Sequence, residues 1–212
     1  MLIDGPAAPR ARFLFAHGAG APMDTPFMNA VSGGLAAAGV QAIRFEFPYM
    51  AKRRDDGKRR GPDRMPVLLD TWRTMLSELP GPAAPILIGG KSMGGRAAAT
   101  FAADPEHRSG NGPEITGVIC LGYPFHPPGK PEKTRLEPLQ KATCPVLIVQ
   151  GVRDRFGTPD DVGAYRLAAP IEIVWIDDGD HSFVPRKSSG RTESDNIDAA
   201  VKHVTAFIDR VI

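Results

Sequence analysis

Six short apolar runs recur along the chain, at Arg12–Ala16, Gln41–Phe47, Ile86–Gly89, Ile115–Leu121, Val146–Gln150 and Ile171–Ile176. Most are continuous rather than alternating, as expected of strands buried on both faces of a sheet. Helix-like stretches lie between them, at Pro26–Ala38, Met65–Leu79, Gly94–Ala103, Asp160–Ala168 and Asp195–Val211. Asp24 or Thr25 is placed to cap the first, Pro26 to open it, and Gly39 to end it. Strand and helix alternating in this way predict a mostly parallel, six-stranded sheet flanked by helices. With no internal repeat and no linker, residues 1–212 read as one α/β domain. The stretches read as irregular are Tyr49–Arg64, Asp104–Pro113, Gly122–Thr143 and Ser182–Ser194. Three of them follow strands closely, which puts them at the carboxyl edge, where open α/β sheets bind ligands.

Composition narrows the class without deciding it. Hydrophobic residues make up 42% and charged residues 24%, as in ordinary globular proteins. Two cysteines, Cys120 and Cys144, cannot form a disulfide framework and are expected to be buried thiols. The start of the chain lacks the pattern of a signal peptide, and no apolar stretch reaches the roughly 18–20 residues of a membrane span. A cytoplasmic, soluble protein is the expectation. The formal net charge is only +2, yet residues 52–64 alone carry +4. That segment is expected to lie near the ligand edge, where it would draw anionic substrates or an acidic partner. Its acidic interruptions and lack of interleaved aromatics argue against nucleic acid.

The most informative run is Ile86-Leu87-Ile88-Gly89-Gly90-Lys91-Ser92-Met93-Gly94-Gly95-Arg96-Ala97. A buried strand meets a Gly-x-Ser-x-Gly turn and an alanine-rich helix follows, the context of a nucleophile elbow. Gly90 and Gly94 let strand and helix approach without a Cβ clash. Gly90-Lys91-Ser92 could also end a phosphate-binding loop, but Pro85 stands where that motif needs glycine, and strand residues replace the loop.

A serine needs a base, and the base an orienting acid. Asp154 lies just past the run ending at Gln150, and His181 lies five residues past Ile176. Both are expected at the edge where Ser92 stands, with Ser92 as nucleophile, His181 as general base and Asp154 as its acid. The nearby Asp177, Asp178 and Asp180 are expected to shape the histidine's turn. After the first apolar run, His17-Gly18-Ala19-Gly20 suits the second half of an oxyanion hole, supplying the N–H of Ala19 or Gly20 beside that of Met93. His17, Lys91, Tyr123 and His126 are candidates for lining the substrate site. His107 is expected in a polar loop, and His203 at the surface of the last helix. No zinc spacing or dinucleotide fingerprint is present, so no metal or cofactor is expected.

With these landmarks in order, the sequence resembles the α/β-hydrolase superfamily. More narrowly, it is similar to a small dienelactone-hydrolase-like group, related to a testis-expressed protein and to a regulatory subunit of the nonspecific-lethal histone acetyltransferase complex. The carriers are Gly90–Arg96, Gly122-Tyr123-Pro124-Phe125-His126-Pro127-Pro128-Gly129-Lys130-Pro131 and Gly179-Asp180-His181-Ser182-Phe183. The resemblance implies a minimal α/β-hydrolase fold without the two leading antiparallel strands or a cap domain. It also implies hydrolysis of an ester, thioester or related acyl bond through an acyl-serine, where dienelactone hydrolase itself uses cysteine. The alternative is a catalytically silent interaction module on the same fold, since the eukaryotic relatives are complex subunits.

Overall fold

A computed structural model describes residues 1–79, 83–106 and 113–212. His107 lies outside the described residues. The strands are β1 (Leu2–Asp4), β2 (Ala11–Ala16), β3 (Val40–Phe45), β4 (Ile86–Lys91), β5 (Ile115–Leu121), β6 (Val146–Gly151) and β7 (Ile171–Ile176). They form one seven-stranded sheet in the order β1-β3-β2-β4-β5-β6-β7. Every neighbouring pair is parallel except β1 and β3, where Ile3 opposes Ile43 antiparallel. The expected six strands are therefore seven, and one leading antiparallel strand is present. Three residues, two of them exposed, carry too little pattern to be read as a strand; pairing with β3 makes it one.

The described helices include α1 (Pro26–Ala37), α2 (Pro48–Asp56), α3 (Met65–Ser77), α4 (Met93–Ala103), α5 (Glu137–Gln140), α6 (Pro159–Gly163) and α7 (Glu193–Val211). Side chains alternate between two cores. Phe13, Phe15, Leu87, Ile119, Leu147 and Val149 pack with α1 and α7. Leu14, Ala16, Ile88, Cys120 and Ile148 pack with α2 to α6. Apolar residues therefore occupy both faces of the central strands, which is why their runs are continuous.

Local capping sets the boundaries. Thr25 accepts from Met28 N–H ahead of Pro26, and Gly39 follows α1 at φ +79°. Thr192 and Asp195 cap α7 reciprocally. The helix expected over 160–168 stops at Gly163; Thr158 and Asp161 cap its start, and Gly163 is a poor helix former. The segment read as irregular after Tyr49 opens instead as α2. Phe47 precedes it, Pro48 begins it, and Gly57 ends it in the left-handed region at φ 70°. Only Tyr49 and Met50 of α2 are buried, so its apolar signal is too short to mark a helix.

Among the described residues, no helix is long and apolar enough to cross a membrane. Cys120 is buried and donates its thiol toward Gly95 O, whereas Cys144, expected to be buried, is partly exposed. Burial raises both thiol pKa values, which leaves them weak nucleophiles.

Candidate active site

Ser92 joins β4 to α4 with φ 52° and ψ −113°, a conformation that costs a non-glycine residue energy. The surrounding backbone holds it there. Its N–H donates to Leu121 O at 3.0 Å, and its carbonyl accepts from Arg96 N–H at 3.0 Å. The close approach of strand and helix explains the glycines. A Cβ on Gly90 would lie 2.6 Å from Ala16 O, and one on Gly94 2.6 Å from His17 O.

Around Ser92 the expected partners converge. The Ser92 hydroxyl donates to His181 Nε2 at 2.8 Å, and His181 Nδ1–H donates to Asp154 Oδ2 at 2.7 Å. Asp154 is completely buried at the end of β6. Its other oxygen accepts from Phe156 N–H at 2.9 Å. Oδ2 also accepts from Gln150 Nε2 at 2.9 Å. The Phe156 ring covers the imidazole with centroids 4.3 Å apart. Burial lowers the His181 pKa from its ordinary value, and the charge of Lys91 adds to that; the hydrogen bond to Asp154 opposes it. The imidazole is therefore neutral near pH 7 and able to accept a proton from the hydroxyl.

The histidine's turn is built by the acids around it. Asp180 Oδ1 accepts from Ser182 and Val184 N–H at 2.8 and 3.0 Å. Asp178 binds Arg186, with Nε at 2.7 Å. Asp177 pairs with Arg191 at 3.7 Å. Buried Asn196 reaches from α7 to Phe183 O at 2.8 Å and Asp177 O at 3.2 Å.

Near the elbow, the first N–H groups of α4, including that of Met93, have no intrahelical acceptor. The turn after β2 lies against them: a Cβ on Gly18 would be 3.8 Å from Ser92 Cβ. Ala19 and Gly20 follow on the exposed side.

The four candidate lining residues are spent differently. His17 is fully buried; its Nδ1 donates to Gly18 O at 2.7 Å and its Nε2 accepts from Phe47 N–H at 3.1 Å. Tyr123 is also fully buried and donates to Arg135 O at 2.8 Å. Lys91 is buried and donates to His181 O. His126 is buried too; its Nδ1 is 2.9 Å from Pro127 O and its Nε2 is 3.5 Å from Asp161. All four are buried side chains of the fold. His203 is exposed on α7 as expected.

Sequence reasoning missed Gln150 and Phe156, which contact Asp154 and His181. A polar Gln150 ending a buried apolar run was the available signal. Among the described residues, no group of three or more His, Cys, Asp or Glu is arranged to hold a metal ion. A cavity of about 1570 Å³ opens at the opposite, amino edge, where Arg12, Ile86, Ile115 and Pro145 line it. None of Ser92, Asp154 or His181 borders it.

Known proteins share this architecture. The chain aligns over 99% of its length with Est1E from Butyrivibrio proteoclasticus bound to ferulic acid, covering 94% of that chain at 16% identity and TM-score 0.70. With a dienelactone hydrolase from Anabaena variabilis the TM-score is 0.71 at 20% identity, over 99% of this chain and 90% of that one. An esterase domain from a Rhodothermus marinus protein gives 0.66 at 19% identity, over 98% and 91%. These likenesses show the fold. A family model described as an alpha/beta hydrolase domain matches residues 9–209, nearly the whole sheet and every element of the site, and the chain belongs to that alpha/beta hydrolase family.

Proposed function

We propose that the protein is a serine hydrolase that cleaves an ester, thioester or related acyl bond through an acyl-Ser92 intermediate. The observation that carries this is the unbroken hydrogen-bond chain from Ser92 to His181 to buried Asp154, anchored on a backbone at φ 52°. In this reading Ser92 Oγ attacks the acyl carbon while His181 Nε2 takes its proton. Asp154 holds the Nδ1–H tautomer and stabilises the imidazolium. The N–H groups of Met93 and of Ala19 or Gly20 donate to the acyl oxygen and stabilise the charge that develops on it. His181 then protonates the leaving group, and the same base activates water to release the acid.

An esterase domain and a dienelactone hydrolase stand among the structural relatives, consistent with an ester or lactone carbonyl as the electrophile. The narrower kinship with the dienelactone-hydrolase-like group rests on the three sequence motifs that flank Ser92, Tyr123 and His181. A silent interaction module on this fold would need neither the strained serine nor the aligned base, so the geometry favours catalysis. Turnover of p-nitrophenyl esters, acyl-CoAs and lactones by wild type and by Ser92→Ala tests the reading. Hydrolysis lost in Ser92→Ala is expected; equal rates in the two proteins, or no substrate turned over by folded wild type, would contradict it.

A further inference from the structure

The turn after β2 is gripped from one side. Three consecutive carbonyls, those of Gly18, Ala19 and Gly20, each accept from a side chain. His17 Nδ1 and the Tyr49 hydroxyl donate to Gly18 O at 2.7 and 3.3 Å. Tyr49 also reaches Ala19 O, at 2.9 Å, and Arg53 Nη1 reaches Gly20 O at 3.2 Å. Tyr49 and Arg53 are one turn apart on α2, whose start is itself fastened. Tyr49 N–H donates to Asp63 at 2.9 Å, and Phe47 N–H to His17 Nε2 at 3.1 Å. Burial raises the Tyr49 pKa, so its hydroxyl remains a donor.

Peptide planarity converts this grip into an orientation. In a trans peptide the N–H points opposite to the C=O of the preceding residue, and no cis bond occurs among the described residues. Holding Gly18 O toward His17 and Tyr49 turns the Ala19 N–H away from them. Holding Ala19 O toward Tyr49 does the same for the Gly20 N–H. Gly18 meanwhile packs on the elbow, where its added Cβ would be 3.6 Å from Lys91 O and 3.8 Å from Ser92 Cβ. A phenol has one proton, and its shorter contact is with Ala19 O.

We infer that Tyr49 is a positioning residue, whose hydroxyl holds the Ala19 carbonyl back and thereby keeps the Gly20 N–H beside the Ala19 N–H as an oxyanion donor. The inference rests on the serine-hydrolase reading above. Its physical content is preorganisation: a glycine-rich turn left free would spend transition-state binding on ordering itself. Arg53 secures the next peptide of the same turn, and His17 the one before it. Aromatic contacts keep the two rings together, with His17 and Tyr49 centroids 5.7 Å apart.

Tyr49→Phe keeps the buried ring and removes only the oxygen. For an ester that wild type hydrolyses, kcat is expected to fall about tenfold, part of the roughly 10²–10³ lost when a donor is deleted outright. KM stays within about twofold, because the ground-state carbonyl makes less use of the hole. Affinity for an aryl trifluoromethyl ketone falls in parallel with kcat. In that adduct Ser92 Oγ bonds the ketone carbon, its proton passes to His181, and the carbonyl π pair becomes the oxyanion. A merely structural role for Tyr49 would lower the melting temperature without separating kcat from KM. Folded Tyr49→Phe with kcat and inhibitor affinity both within about twofold of wild type overturns the inference. If Tyr49→Phe does not fold, Arg53→Met decides. A fall in kcat of about two- to threefold at unchanged KM supports the gripped turn, and an unchanged kcat overturns it. Ester turnover by wild type that is lost in Ser92→Ala establishes the underlying reading separately, and its absence overturns both.

Discussion

The ammonium of Lys91 donates to the main-chain carbonyl of His181, which places a buried cation beside the imidazole. A Cβ on Gly122 would lie 2.9 Å from Lys91 Nζ and 3.2 Å from His181 Nδ1, so the two nitrogens share one small space. Burial pushes the Lys91 pKa down to about 8, while Asp154 and Asp180 pull it up, leaving the group mostly charged at pH 7. That charge disfavours imidazolium. The single substitution Lys91→Met removes it together with the donor to the histidine's turn. The acid limb of kcat/KM against pH should move to higher pH by up to about one unit, with a lower plateau. An unmoved limb would mean that Lys91 acts on His181 only through packing.

The wild-type profile carries its own sign. His181 must be neutral to take the serine proton, and its pKa lies below the ordinary 6.5 because burial outweighs the help from Asp154. Activity is therefore retained as pH falls through 6.5 and lost only below it. Rates measured from pH 4 to 8 at constant ionic strength check this; a limb above 6.5 would contradict it.

Asp154 is the buried partner on which the tautomer depends. Asp154→Asn should lower kcat by about 10⁴, since the amide can donate to Nδ1 and favour the wrong tautomer. Gln150→Met should cost less, about tenfold, because Asp154 keeps the Phe156 N–H while losing the Gln150 amide. Steady-state kinetics on the two variants rank them, and equal losses would put Gln150 on a par with Asp154.

Strain at Ser92 predicts a trade between stability and activity. Glycine tolerates φ 52° without a Cβ penalty, so Ser92→Gly should be inactive and more stable by about 1 kcal/mol. Urea denaturation midpoints at equal m-value measure the difference. A less stable Ser92→Gly would place the cost of the elbow elsewhere.

The positive segment 52–64 is less positive in space than in sequence. Arg54 binds Asp24 at 3.0 Å and Glu46 at 2.5 Å, both outside the segment, and Arg60 binds Asp56 at 2.5 Å. Among the described residues, Lys52, Arg53, Lys58, Arg59 and Arg64 form no ion pair and supply the remaining field. Neutralising Lys58 and Arg59 to Gln should change the ratio of kcat/KM for anionic over neutral esters by less than about threefold at 0.15 M salt. A change of tenfold or more would restore the segment as an anion-steering surface.

How far the sequence could be read follows from where its signals are local. Ile86–Gly89 followed by Gly90–Gly94 announces a strand, an elbow and a helix within a dozen residues, and the order of Asp154 and His181 after later strands needs only that frame. Signals that depend on partners were illegible. β1 exists through its pairing with β3, and α2 hides behind Lys52-Arg53-Arg54-Asp55-Asp56, a run that reads as a solvated loop. His17, Tyr123 and His126 sit beside the expected mouth in sequence, yet His17 and Tyr123 spend their polar atoms on backbone and His126 lies between Pro127 O and Asp161, which no spacing reveals. Tyr49 lies 30 residues from the Ala19 carbonyl it holds, a contact that only folding makes.

The central claim is that Ser92 is a nucleophile activated by His181, and covalent labelling tests it without knowledge of the substrate. A fluorophosphonate probe incubated with folded protein should add one adduct by intact mass, mapped by peptide sequencing to Ser92. Ser92→Ala should remain unmodified, and Asp154→Asn should label slowly. Folded wild type that stays unlabelled, or an adduct on any residue other than Ser92, would contradict the account.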